Sequence, residues 1–236
     1  MPRFDSISDA AYFDPSSRRH AEASDRPTRL RVDLDALTHN LRALRRHCGV
    51  PVMGIVKANA YGHGLVPVAL HLQSQGVEHL GVAFVEEGIA LRQAGVHLPI
   101  LVMGGIFGPQ AAQLIAEDLE ITVSSLDKLR QVEAAARSLG RKATIHLKID
   151  TGMERIGVHS YHAGPFIEAA VASRWCTVKG VYSHLACADD PDSAMTGQQL
   201  ERFLGACAHF ERIGAPMPLR HLANSGGLLH FPETHL

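Results

Sequence analysis

No stretch of the 236 residues approaches the roughly 18 consecutive apolar residues that a membrane-spanning helix requires, which excludes an integral helical membrane protein. Charge of one sign is missing too. Lys and Arg (23) nearly cancel Asp and Glu (24), so the basic footprint of a nucleic-acid or anionic-membrane binder is absent and a small molecule is the better expected partner. Cysteine is sparse: Cys48, Cys176, Cys187 and Cys207 show no C-x-x-C spacing and sit in apolar segments. They read as buried free thiols in preference to a disulfide framework or a thiolate metal cage. The first 28 residues lack the apolar core of a secretory signal. Asp5, Asp9, Asp14, Glu22 and Asp25 argue against an acidic-poor transit peptide, so a cytoplasmic protein is expected. Histidine is not scarce, at fifteen, but only His159 and His162 approach ligand spacing. They are read as lacking cysteine or carboxylate partners close by, and no metal site is expected.

What is present is a chain that is 46% hydrophobic and 20% charged, able to bury a sizeable core. Residues 1–28 are polar, mixed in charge and aperiodic, and are expected to form a loosely ordered extension; residues 29–236 are expected to form the folded domain. Leu34, Leu37, Leu41 and Leu44 share one helical face, with Asp33 or Asp35 available as a cap. Seven apolar runs follow: 52–56, 80–85, 98–103, 119–123, 143–149, 177–182 and 219–223. Helical periodicity fills the intervals, as in 125–139, where Leu126, Leu129, Val132 and Ala136 share a face and Ser125 can cap. Near-continuous apolar strands alternating with helices predict a covered parallel sheet. No G-x-G-x-x-G follows the first run, and Gly104-Gly105-Ile106-Phe107-Gly108 lacks that spacing. The polar residues instead cluster past several strand ends, the pattern of a barrel mouth ringed by βα loops. The predicted fold is therefore a TIM-type (β/α)8 barrel with about seven of its eight βα units.

The first cluster is Val56-Lys57-Ala58-Asn59-Ala60-Tyr61-Gly62-His63-Gly64, after the first strand. An amine at the mouth can act as a nucleophile toward a carbonyl, with the Tyr61 hydroxyl in the same pocket; the plain alternative is a lysine that snorkels to the rim. The fifth strand ends in Lys148-Ile149-Asp150-Thr151-Gly152-Met153-Glu154-Arg155. Arg155 could bind an anionic oxygen or simply pair with Glu154 or Asp150. After the sixth run, His184 could stack on a planar group or donate a hydrogen bond, while Asp189 and Asp190 suit loop caps. The seventh is followed by His221-Leu222-Ala223-Asn224-Ser225-Gly226-Gly227, which suits a phosphate held at a helix start or an ordinary N-cap. A phosphate pocket, a stacking group, a cation and one amine together suit a phosphorylated planar aldehyde, and pyridoxal 5′-phosphate is that molecule.

Residues 27–236 resemble the N-terminal barrel of the alanine racemases. The likeness rests on Arg26-Pro27-Thr28 with Asp33-Leu34-Asp35-Ala36-Leu37, on the Val56–Gly64 signature, on Lys148-x-Asp150-Thr151-Gly152-Met153-x-Arg155, and on His221-x-Ala223-Asn224-Ser225. The resemblance implies that Lys57 carries the cofactor and is one catalytic base, and that Tyr61 and Ser225 bind its phosphate. It implies that Arg155 lies beside the cofactor's phenolic oxygen and that His184 lies on its ring. Asn224 precedes the phosphate serine, and Lys148 matches a lysine carbamylated in some members. The implied activity interconverts L- and D-alanine for peptidoglycan, in a homodimer of the full-length form. Serine, lysine or broad-specificity racemisation, and cofactor binding without turnover, remain alternatives. Family members continue through an eighth strand bearing Arg-Pro-Gly and a β-rich C-terminal domain, which supplies the second catalytic tyrosine from the partner subunit. This chain is accordingly expected to be a piece of a longer racemase. Made alone, it is expected to aggregate, to dimerise through the open seam, or to stay poorly ordered over 223–236.

Overall fold

All seven apolar runs form strands in the computed structural model, which describes residues 30–107 and 109–236. The strands are β1 (Met53–Ile55), β2 (His79–Val82), β3 (Ile100–Val102), β4 (Glu120–Val123), β5 (Ala143–Asp150), β6 (Val158–His159), β7 (Cys176–Tyr182) and β8 (Leu219–His221). The two-residue β6, which no apolar run announced, pairs with the end of β5. The other seven form one parallel sheet in the order β1-β2-β3-β4-β5-β7-β8. This is the expected barrel-type sheet of seven strands, and among the described residues β8 does not pair with β1.

The chain divides into Met1–Asp33 and Leu34–Leu236. Of the first unit only residues 30–33 are described, without regular structure, so the expected extension over 1–28 lies outside the described residues, as does Gly108. The second unit carries helices α1 (Leu34–Cys48), α2 (Lys57–Tyr61), α3 (Leu65–Ser74), α4 (Val85–Gln93), α5 (Gln110–Ala116), α6 (Leu126–Leu139), α7 (Ala163–Ala172), α8 (Ala194–Arg212) and α9 (Ser225–His230). In α6 the Ser125 hydroxyl accepts from the Lys128 N–H at 3.1 Å, and Leu129, Val132 and Ala136 are buried, as the spacing predicts. The segment after β8 forms α9 and a 3-10 turn over Pro232–Thr234.

Successive side chains of a strand face opposite ways, and here the two faces differ in chemistry. Leu80, Val82, Ile100, Val102, Ile121, Val123, Ile145, Leu147 and Ile149 join the buried apolar core. The opposite face carries Glu120, Thr122, His146, Lys148 and Tyr182, which are buried yet polar. The pairing shifts by one residue at Lys179 of β7, since Ile145 aligns with Val178 but His146 with Gly180. A bulge of this kind re-aims a side chain. Lys179 is thereby turned inward, its ammonium 2.6 Å from Glu120 Oε1. Gly180 is required where it stands, because an added Cβ would meet the His146 ring at 2.1 Å.

Candidate active site

Lys57 stands two residues beyond the end of β1, where the chain turns left-handed instead of entering an ordinary helix. Ala58, Asn59, Ala60 and Tyr61 have φ of 54, 57, 51 and 52°. For L-residues this conformation costs about 1–2 kcal/mol each, less for asparagine, so the turn persists only because its surroundings hold it. The Ala60 N–H donates to Val56 O at 2.8 Å, and the Leu65 N–H donates to Asn59 Oδ1 at 2.8 Å. The Ala58 N–H donates to Glu87 Oε1 at 2.6 Å. The Lys57 amine lies 5.9 Å from the Tyr61 ring centre, and Tyr61 is 59% exposed.

On β5 and just past it, Asp150 folds the loop back on itself. Its Oδ1 accepts from the Gly152 and Glu154 N–H groups and its Oδ2 from the Arg155 N–H. The Arg155 side chain is exposed and forms no ion pair among the described residues, so the expected alternative of a pair with Glu154 or Asp150 is not what the structure shows. Burial drives the Lys148 amine down to about 7, with Arg155 adding to the fall and Asp150 opposing it. Burial also lowers His184 to about 4, helped by Lys148, Arg155 and Lys57 in turn. Lys57, Lys148 and Arg155, from two loops and a strand, thus act electrostatically on one imidazole.

Lys148 and His221 also belong to a chain of polar side chains on this face of the sheet, whose other members, Glu120, Thr122, His146 and Tyr182, no motif singles out. Glu120 Oε2 is 2.8 Å from His146 Nε2, and His146 Nδ1 is 3.0 Å from His221 Nε2. The His221 ring stacks on Tyr182 with centroids 4.6 Å apart, and the Lys148 amine lies 4.3 Å over that same tyrosine. The Tyr182 hydroxyl is 2.8 Å from Thr122 Oγ1. Burial opposes ionisation of Glu120, but the hydrogen bonds from His146 and Lys179, with His79 Nε2 3.5 Å away, prevail and hold its carboxyl well below the usual range. Desolvation lowers His146 and His221, which favours the neutral form of both rings. The signal for this chain was present: Thr144, His146, Lys148 and Asp150 alternate with apolar residues along β5, which assigns four polar side chains to one face.

At β8 the structure makes Asn224 the cap of α9, its Oδ1 accepting from the Gly227 N–H at 2.9 Å while its Nδ2 donates to Leu185 O. Ser225 opens the helix and is exposed. Gly226 packs so closely on the loop after β7 that an added Cβ would meet Ala188 O at 2.5 Å. Asp190 caps its own loop, accepting from the Asp192 N–H. His159, expected to lack carboxylate partners, instead lies 3.6 Å from Glu154 and within reach of Asp150, because the Asp150-centred turn folds these residues together. Both Asp150 oxygens are already occupied by backbone donors. The four thiols are free, with Cys176 and Cys207 buried and Cys48 and Cys187 half-buried. No helix among the described residues is long and apolar enough to cross a membrane.

Comparison with known proteins shows the family and the fold. The family described as "Alanine racemase, N-terminal domain" matches residues 32–236. The alanine racemase of Symbiobacterium thermophilum is 43% identical over 211 residues, covering 89% of this chain and 56% of that protein. Alanine racemase 1 of Oceanobacillus iheyensis is 40% identical over 210 residues, covering 87% and 55%. Among solved structures, the alanine racemase from D-cycloserine-producing Streptomyces lavendulae superposes with a TM-score of 0.83 at 41% identity, covering 87% of this chain and 55% of that one. The chain therefore spans little more than half the length of the relatives it matches.

Proposed function

Because the chain belongs to the alanine racemase N-terminal domain family, we propose that it is the cofactor-holding barrel of an enzyme that interconverts L- and D-alanine with pyridoxal 5′-phosphate. The observation that carries this reading is positional: Lys57 follows β1, Lys148 lies near the end of β5 with Arg155 just past it, His184 follows β7 and Ser225 opens α9 after β8, so all stand at the carboxyl ends of strands in one parallel sheet. Their donor chemistry fits the cofactor. It offers an amine for an aldehyde, a guanidinium for an anionic oxygen, a neutral imidazole for a planar face, and the exposed Tyr61 and Ser225 hydroxyls for a phosphate.

When bound, pyridoxal phosphate supplies an aldehyde that condenses with amines and a ring that stabilises negative charge beside an amino acid's α-carbon. Lys57 would hold the cofactor and then move the α-proton on one face of the substrate. Arg155 would orient the ligand through its unpaired guanidinium. His184, lowered to about 4, is neutral at physiological pH and offers a stacking face without adding charge. Tyr61 and Ser225 would bind phosphate, with Asn224 fixing the helix start that bears Ser225. Lys148, a free base above about pH 7, is an amine that carbon dioxide can carbamylate, with loss of a proton, giving an anion beside Arg155. The proton donor for the opposite face would come from a partner subunit, in a homodimer of the longer protein.

The test is α-proton exchange. Purified protein supplied with pyridoxal phosphate in deuterated buffer should exchange the α-hydrogen of alanine, read by proton NMR, faster than pyridoxal phosphate alone. Exchange of serine or lysine in preference to alanine would redirect the substrate assignment. No exchange above the free cofactor would leave a binding barrel without turnover.

A further inference from the structure

The left-handed turn that presents Lys57 is anchored from outside by a single buried carboxylate. Glu87, in the first turn of α4, is 5% exposed. Its Oε2 accepts from the Ala83 and Phe84 N–H groups at 2.8 and 3.1 Å, the local bonds that cap α4. Its Oε1 reaches instead to the Ala58 N–H at 2.6 Å, across 29 residues of sequence. Capping α4 does not require that second bond, which falls on the residue immediately after Lys57, at φ 54°. We propose that Glu87 is a positioning residue for the Lys57 amine: its carboxylate clamps the β2–α4 junction to the left-handed turn and so fixes the direction in which Lys57 leaves the sheet.

Three observations support the assignment. The turn is built from non-glycine residues that do not favour its conformation, so an external hold is needed. The hold is a carboxylate accepting backbone N–H bonds, stronger than a neutral acceptor would provide. It is also sequestered from water, which would otherwise compete for the same donors. Asn59 fastens the far end of the turn to Leu65 but makes no bond at Ala58, so among the described residues no other side chain holds the turn next to the lysine. The proposal rests on Lys57 being the cofactor lysine, and its test separates the two claims.

Glu87→Gln keeps the size but cannot accept through both terminal atoms, so one side of the clamp is lost. In cofactor-free protein, deuterium exchange over residues 56–64 should quicken at least tenfold while residues 143–150 stay as protected as before. The dissociation constant for pyridoxal phosphate, from absorbance titration, should rise at least tenfold, equivalent to about 1.4 kcal/mol. Adding Ala58→Gly, which suits a positive φ, should restore part of both losses. Ile167→Val, a core truncation in α7, serves as the control for general destabilisation and should leave both readouts unchanged. Uniform loss of protection in Glu87→Gln, or wild-type protection over 56–64, overturns the proposal. If the wild type takes up no cofactor, the functional reading fails and the exchange data alone decide the role of Glu87.

Discussion

Replacing Lys148 by methionine should stabilise the protein below neutrality and flatten its stability against pH. The amine is buried over the Tyr182 ring, and the fold lowers it from 10.5 to about 7, chiefly by desolvation. Between those values the unfolded chain binds more protons than the folded one, so stability rises with pH from about 7 toward 10.5, and the full cost is present below 7. The difference, 10.5 − 7 = 3.5, at about 1.4 kcal/mol for each factor of ten, sets an upper bound on the order of 5 kcal/mol. Methionine matches the length, carries no charge and forgoes a cation–π contact worth about 1 kcal/mol. Urea unfolding followed by far-ultraviolet circular dichroism at pH 6, 7, 8 and 9, in buffers stripped of carbon dioxide, measures both curves. The variant should be more stable by a few kcal/mol at pH 6, with the gap closing as pH rises. Parallel curves, or a variant less stable at pH 6, would refute the reasoning.

Gly180→Ala should cost about 1–3 kcal/mol, since the new methyl group meets the buried His146 ring and the overpacked sheet must shift; a thermal melt within a degree of wild type would contradict it. Glu120→Gln should cost about 1–2 kcal/mol at pH 7, because it removes the charge from the hydrogen bonds that Glu120 makes with the His146 ring and the partly exposed Lys179 ammonium. Glu120 is held well below its ordinary 4.5, so its contribution is present above 4.5 and lost as pH falls further. The variant should therefore lack part of the acid-side decline seen in wild-type unfolding.

The sheet was legible because seven separate apolar runs encode it, and each became a strand. β6 was not, since a two-residue pairing at the end of β5 carries no periodicity. Lys57, Arg155, His184 and Ser225 stand out in the sequence as members of short motifs, and the structure places those motifs at strand ends, where barrels keep their chemistry. The manner of presenting Lys57 was hidden: nothing in Ala58-Asn59-Ala60-Tyr61 favours positive φ throughout, and the hold comes from Glu87 in a different βα unit. The Glu120–His146–His221 chain was half legible, as alternation along β5 marks an inward polar face but not its partners on β4 and β8. Asp150 drew His159 and Glu154 together through a loop whose closure depends on backbone bonds that sequence spacing does not report.

The central claim is that Lys57 carries pyridoxal phosphate at the mouth of this sheet. It is tested most directly by incubating the protein with the cofactor, reducing with borohydride, and locating the added mass by peptide mass spectrometry. A single stoichiometric modification on Lys57, absent from Lys57→Arg, is the expected result. An unmodified Lys57 with the label on Lys148, or scattered over surface lysines, would contradict the account.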